Sequence, residues 1–313
     1  MSDILGRILY EIDCPDLVDR LLHLSGSDLN SLLLELYRRR AEGLDARAVL
    51  KNYARNRFAE PSALDPVQYR ELEAMLLSLA RGCGMEPVLL SPVAPLGSCA
   101  AFGCVNQNKI VSASRGLEAL ADPTNMLALV LAERRGTGQW PADARAHLCA
   151  TARVTRAQPF AGKNSFAHFG VFCAVSGGRD AGSYGCETAL LMDQLAFYRE
   201  MLAKKYGAGL SVALRRRAGY KDADGFFDRM CALFEVRMPD VPIVRDEAPS
   251  DNGYYKGLNF KLYLRAGDER VEIGDGGFVD WLAQATGNRR ERCLISGIGL
   301  DRLMAIEPVG RDA

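Results

Sequence analysis

Two pairs of closely spaced strand-like runs limit what this 313-residue chain can fold into more than any other feature. HLCATARVTRAQPF and SFAHFGVFCAV flank a polar AGKN turn, and YYKGLNFKLYLRAG is followed almost at once by ERVEIGDGGF. Runs this close can pair only as antiparallel hairpins, because a parallel crossover needs a dozen or more intervening residues. Between them helices dominate: CETALLMDQLAFYREMLAKKYG reads as a long helix and GFFDRMCALFEV as another, with LSVALRRR a strand between the two. Strict strand–helix alternation is missing, so the predicted class is α+β, an antiparallel sheet flanked by helices.

Residues 1 to about 60 read as helix after helix and are taken as a helical N-terminal extension, leaving 61–313 as the main domain. Leu29, Leu32, Leu33 and Leu36 recur at helical spacing, with Ser27 or Asp28 as N-cap and Gly43 as the stop. A second amphipathic helix is predicted from Pro66 to about Arg81, and MEPVLLSP after it as a short strand.

Lys plus Arg and Asp plus Glu both number 39, so no global basic field draws the molecule onto a phosphate backbone. The acids Asp3, Glu11 and Asp13 break the N-terminal apolar stretch, which argues against a signal peptide, and no run approaches a membrane span; a cytoplasmic protein is expected. Nine cysteines without a Cys-x-x-Cys pair, and only three histidines, predict reduced, mostly buried thiols and no structural zinc.

Chemistry is concentrated in two segments. In SGIGLDRLMAI, Gly297 and Gly299 flank the point where a buried strand becomes a helix, and Arg302 sits in that helix's first turn. Glycines admit a ligand to the backbone, a helix N-terminus favours anions and the arginine adds positive charge. Taken alone, the segment reads first as a glycine-tolerant packing junction with Arg302 paired to an acid, because short glycine motifs are weak signals. The hairpin between His147 and Val175 carries Arg153, Arg156 and Gln158 on or after its first strand, Lys163 in its tip, and Phe166 and His168 at the start of the return. It reads either as a nucleotide-facing hairpin or as a surface hairpin with exposed arginines.

Taken in order, three segments resemble the motifs of the class II aminoacyl-tRNA synthetase catalytic domain: Val67 to Pro92 as motif 1, ARVTRAQPFAGKNSFAHF as motif 2 and SGIGLDRLMAI as motif 3. Within that class the chain is most similar to histidyl-tRNA synthetase and its paralogue, the regulatory subunit of ATP phosphoribosyltransferase. YYKGLNF resembles the family's Tyr-Tyr-x-Gly-x-x-Phe strand, GGFVDWL its Gly-Gly-Arg-Tyr-Asp-x-Leu segment, and ADPTNMLAL its Arg-Pro-Glu-x-Thr turn. The resemblance implies a homodimer built on motif 1. If the chain is active, it implies ATP with Mg2+ as cofactors, Arg153 on the α-phosphate, Arg302 on the γ-phosphate, Phe166 stacked on adenine and Glu187 as a metal ligand. Arg156, Gln158, Gly297 and Gly299 would complete the nucleotide site, and Thr124, His168, Tyr254 and Tyr255 would line the acceptor pocket.

The departures bear on function. Thr155 replaces the glutamate that reads adenine, Asp122 and Thr124 replace the arginine and glutamate of the Arg-Pro-Glu turn, and Phe278 and Ser250 stand in place of arginines. No anticodon-binding domain is expected from the sequence. With phosphate-facing arginines retained and the amino-acid pocket altered, an anionic or nucleotide-like small molecule is the expected ligand. Two functions follow: a paralogue without tRNA-charging activity that binds a small molecule and regulates or assembles with a partner protein, or an ATP-dependent ligase that activates an amino acid or other small carboxylate as its adenylate. Binding to tRNA is not expected beyond weak, salt-sensitive attraction at Arg38 to Arg40 or Arg215 to Arg217.

Overall fold

The computed structural model describes residues 2–158, 167–246, 253–266 and 269–306. In chain order the elements are α1 (Ser2–Glu11), α2 (Leu17–Leu22), α3 (Gly26–Glu42), α4 (Ala46–Tyr53), α5 (Pro66–Gly82), β1 (Glu86–Pro87), β2 (Val93–Pro95), α6 (Ser98–Gly103), β3 (Ser112–Ala113), β4 (Leu117–Ala119) and α7 (Pro123–Gly136). There follow β5 (Ala146–Thr155), β6 (His168–Arg179), α8 (Gly185–Tyr206), β7 (Gly209–Arg216), α9 (Ala223–Arg237), β8 (Ile243–Asp246), β9 (Leu258–Ala266), β10 (Glu269–Val279), α10 (Trp281–Thr286), β11 (Glu291–Gly299) and α11 (Leu300–Met304).

Eight strands form one sheet in the order β1-β5-β6-β11-β10-β9-β7-β8, and β2, β4 and β3 form a second, small sheet. Both predicted hairpins are present and antiparallel: β5 pairs β6 from Ala146↔Gly177 to Thr155↔His168, and β9 pairs β10. Among the described residues only the outermost pairs, β1 with β5 and β7 with β8, run parallel. The fold is therefore the α+β architecture read from the sequence.

Helix starts follow their capping chemistry. Asp65 accepts from the backbone N–H of Val67 and Gln68, both at 2.9 Å, and Pro66 supplies the preset first turn of α5. The predicted cap of α3 moves: Ser25, not Ser27 or Asp28, accepts from Asp28 N–H at 3.0 Å. Asp28 is a first-turn acid instead, where it complements the macrodipole.

Helices pack on both faces of the large sheet. On one face α5, α8, α9 and α11 bury Leu72, Leu76, Phe172, Phe197, Phe226 and Leu303 with their neighbours. On the other, α7 and α10 cover Leu148, Ala150, Cys173, Val175 and Ile295. The extension is different. Helices α2, α3 and α4 bury no residue, and apolar side chains such as Leu22, Tyr37 and Leu50 are exposed. Its ties to the rest include Asn30 Oδ1 accepting from Gly116 N–H at 3.1 Å, a bond from Arg57 to the Ala157 carbonyl, and a Glu60–His168 bond. All nine cysteines are free thiols. Among the described residues no helix is long and apolar enough to cross a membrane.

Candidate functional site

A cavity of 460 Å³ opens on the α7 face of the sheet. Its floor is Phe169 and Val171 of β6 with Gly297 and Gly299 of β11; its inner wall is Asp122 and Thr124 at the start of α7, the tyrosines 254 and 255, and Asp275 of β10; Asp301 and Arg302 stand on α11. A second cavity of 320 Å³ shares Asp122, Arg156, Tyr254, Tyr255 and Asp275 with it and adds Asn125 and Gln158. Close strand packing beneath the floor depends on glycine: a Cβ at Gly274 would collide with the Gly297 carbonyl, and one at Gly276 with the Ile295 carbonyl. At Gly297 itself a Cβ would meet only the Phe172 carbonyl, at 3.6 Å, so its bareness keeps the floor open without being demanded by packing.

Thr124, Arg156, Tyr254, Tyr255, Gly297, Gly299 and Arg302 thus all line the first cavity, and Gln158 the second. Arg153 and His168 do not. Strand side chains alternate between faces, and Ala152 and Val154 oppose Val171 and Phe169 on the cavity face, which puts Arg153, opposite Gly170, on the α5 face. There Arg153 Nη2 donates to His168 Nδ1 at 2.6 Å and the guanidinium lies 5.6 Å from the centre of the Tyr69 ring. That bond leaves His168 Nε2–H to donate to the Glu60 carbonyl at 2.6 Å. The match of Arg153 to the family's phosphate-binding arginine is therefore out by one residue with respect to the cavity, whose side of β5 is Ala150, Ala152 and Val154. Glu187 is also elsewhere. It is 1% exposed and accepts from Arg292 Nε at 2.7 Å and the Tyr220 hydroxyl at 3.2 Å. Phe166 and Lys163 lie outside the described residues.

The charge of the cavity is the opposite of the expectation. Four carboxylates line it, Asp122, Glu272, Asp275 and Asp301, against the guanidinia of Arg156 and Arg302. Both arginines donate to main-chain carbonyls: Arg156 Nε to Ala121 at 3.1 Å and Arg302 Nη1 to Glu272 at 2.9 Å. Lys261 pairs with Glu272 at 2.8 Å, whereas Asp122, Asp275 and Asp301 have no ion-pair partner among the described residues. Asp301 lies in the first turn of α11, beside Arg302, and one of its oxygens accepts from Gly170 N–H at 2.6 Å. Enclosure by protein and the negative charges of Asp122 and Glu272 push the Asp275 carboxyl above the usual carboxylate range. Burial and the same two aspartates push both Tyr254 and Tyr255 well above the usual phenol range. In the sequence Asp122 stands out only as a departure from the family's turn, and Asp275 and Asp301 do not stand out. The Gly-Asp-Gly-Gly run and the acid adjoining Arg302 were the available signals.

These residues do not fit ATP with Mg2+. A triphosphate would meet four carboxylates against two guanidinia, no arginine projects from the cavity face of β5 itself, and no group of three His, Cys, Asp or Glu among the described residues is arranged to hold a metal ion.

No protein-family model matches the sequence, and no curated protein does. The fold does match solved structures. An apo histidyl-tRNA synthetase from S. aureus superimposes with a TM-score of 0.57 at 12% identity, over 78% of this chain and 67% of that one. An ATP phosphoribosyltransferase regulatory subunit/histidyl-tRNA synthetase from Bacillus halodurans C gives 0.58 at 13%, over 79% and 82%. A threonyl-tRNA synthetase, ThrRS-1, from Aeropyrum pernix gives 0.58 at 13%, and this chain spans 57% of its length. With the eight-stranded, mainly antiparallel sheet, its glycine-bearing β11–α11 junction and these neighbours, the chain has a class II aminoacyl-tRNA synthetase-like fold.

Proposed function

We propose that this protein is a synthetase-fold paralogue without tRNA-charging activity, which binds a small molecule in the α7-face cavity and regulates or assembles with a partner protein. The observation that carries this reading is the cavity side of β5, where Ala150, Ala152 and Val154 supply no guanidinium. Adenylate formation depends on positive charge held ready for the phosphates in the transition state. The structural match to a protein described as an ATP phosphoribosyltransferase regulatory subunit/histidyl-tRNA synthetase, 82% of whose length is covered, agrees with the same reading. A second reading, an ATP-dependent ligase for an amino acid or other small carboxylate, is favoured by Arg156 and Arg302, which both line the cavity.

ATP–pyrophosphate exchange, screened over amino acids and small carboxylic acids, separates the two. No exchange above background is the expected result. Exchange dependent on any one carboxylate would overturn the non-charging reading and select the ligase.

A further inference from the structure

The inner end of the cavity is built from hydrogen-bond acceptors. Asp122 Oδ1 accepts from the Thr124 N–H at 3.0 Å and hydroxyl at 2.6 Å, which fixes the carboxylate at the start of α7 with Oδ2 3.5 Å from the Tyr254 hydroxyl. Asp275, on the central strand β10, is exposed to the cavity and faces the Tyr255 hydroxyl. Asn125 is the independent observation. It is 1% exposed, its amide nitrogen is committed to the Ser98 carbonyl at 3.4 Å and Cys99 Sγ at 3.3 Å, and its Oδ1 has no partner. A buried carbonyl oxygen without a donor costs about 1 to 3 kcal/mol, and this one belongs to a residue lining the smaller cavity beside Asp122 and Asp275.

Two carboxylates without ion-pair partners and an orphaned amide oxygen call for a group that is positively charged and rich in N–H donors. The competing cations are Lys261, which acts on Asp275 but is paired with Glu272 at 2.8 Å, Arg156, tied to the Ala121 carbonyl and lying 5.2 Å from the centre of the Phe169 ring, and Lys109, exposed and lining the smaller cavity. None of the three forms an ion pair with Asp122 or Asp275. We infer that the small molecule taken by this protein is an organic cation, whose ammonium or guanidinium group is held by Asp122 and Asp275, with the Tyr254 and Tyr255 rings beside it. Rings of this kind favour a cation near their faces. This assigns a ligand class to the cavity of the proposed function and rests on that reading. It also reverses the expectation of an anionic ligand drawn from the arginines.

The experiment is calorimetric titration of the full chain at low and moderate salt with putrescine and agmatine as cationic probes. Succinate and 1,4-butanediol serve as anionic and neutral probes of similar length. Saturable binding of at least one cation, with neither control bound, is expected. Asp275→Asn should weaken that binding at least about tenfold, and Asp122→Asn, made as a second variant because Asp122 also caps α7, should weaken it further. Absence of cation binding at 10-millimolar order, equal binding of succinate or butanediol, or full retention in Asp275→Asn with its fold confirmed by circular dichroism would each overturn the inference. Failure of the non-charging reading shows instead as pyrophosphate exchange, which these titrations do not measure.

Discussion

At the scale of single residues, Asp275 and Arg153 separate ligand chemistry from structural chemistry. The Asp275 carboxyl lies above its unfolded value near 3.9, so the folded state holds the proton more tightly than the unfolded chain. Its ionisation then costs stability: nothing below the unfolded pKa, more as pH rises through the folded value, and the full amount above it. Asp275→Asn should accordingly melt higher than the native protein at pH 7 and at nearly the same temperature by pH 4, a pattern checked by thermal melts across pH. Acids kept at such a cost are found where a ligand uses them. Arg153→Ala should act in the other way. It breaks the Arg153–His168–Glu60 chain on the α5 face, lowering stability by about 0.5 to 1.5 kcal/mol in denaturant titrations, with binding of a cation in the cavity unchanged. A loss of binding without a loss of stability would return Arg153 to the site. Gly170→Ala tests the same face, since a Cβ there would run into the Tyr69 hydroxyl and ring; overpacking should cost about 1 to 3 kcal/mol.

Among elements, α5 and the extension contrast most sharply. Helix α5 drives Leu72, Leu76 and Ala80 into the core beneath the sheet, so Leu76→Ala, at a side chain with 0% exposure, should cost about 2 to 5 kcal/mol. Helices α2 to α4 bury nothing, and the ties at Asn30, Arg57 and Glu60 are polar. Deleting residues 1–60 should therefore leave a chain that unfolds in one cooperative transition, close to the native midpoint. A molten or insoluble product would show that the extension completes the core. The two predicted hairpins and α5 were legible because their signals are local: period-2 runs close together, and Asp65-Pro66 ahead of an apolar stripe. Of the small β2–β4–β3 sheet only β3 was legible, inside the strand-like run KIVSAS; β2 and β4 were not, because strands of three residues carry no periodicity and exist through pairing alone.

For the molecule as a whole, zero net charge is matched by local pairing. Arg38 and Arg39 pair with Glu35, Arg215 with Asp246 and Arg216 with Asp224, so two arginines of each basic cluster noted in the sequence are compensated within the fold. Filter binding should show weak tRNA retention that disappears with rising salt; salt-resistant, isoacceptor-selective retention would contradict this. The homodimer implied by the motif 1 resemblance remains a proposal, for which light scattering at micromolar concentration should give twice the 34.2 kDa chain mass. The sequence by itself determined the α+β class, the hairpins, the long helices and the glycine-bearing junction at Gly297 to Arg302, because each is written in contiguous residues whose spacing dictates backbone geometry. Only the tertiary structure decided the site. Up to Ala152 one side of β5 carries Leu148, Ala150 and Ala152 and the other His147, Cys149 and Thr151; alternation put Arg153 with the second set, but which helices that side meets was decided only when β6, α5 and α7 were packed against it. Asp122, Asn125, Asp275 and Asp301, far apart in the chain, meet only where α7, β10 and α11 converge on the sheet. The sign of a cavity's charge is a sum over such neighbours, and no single motif contains it.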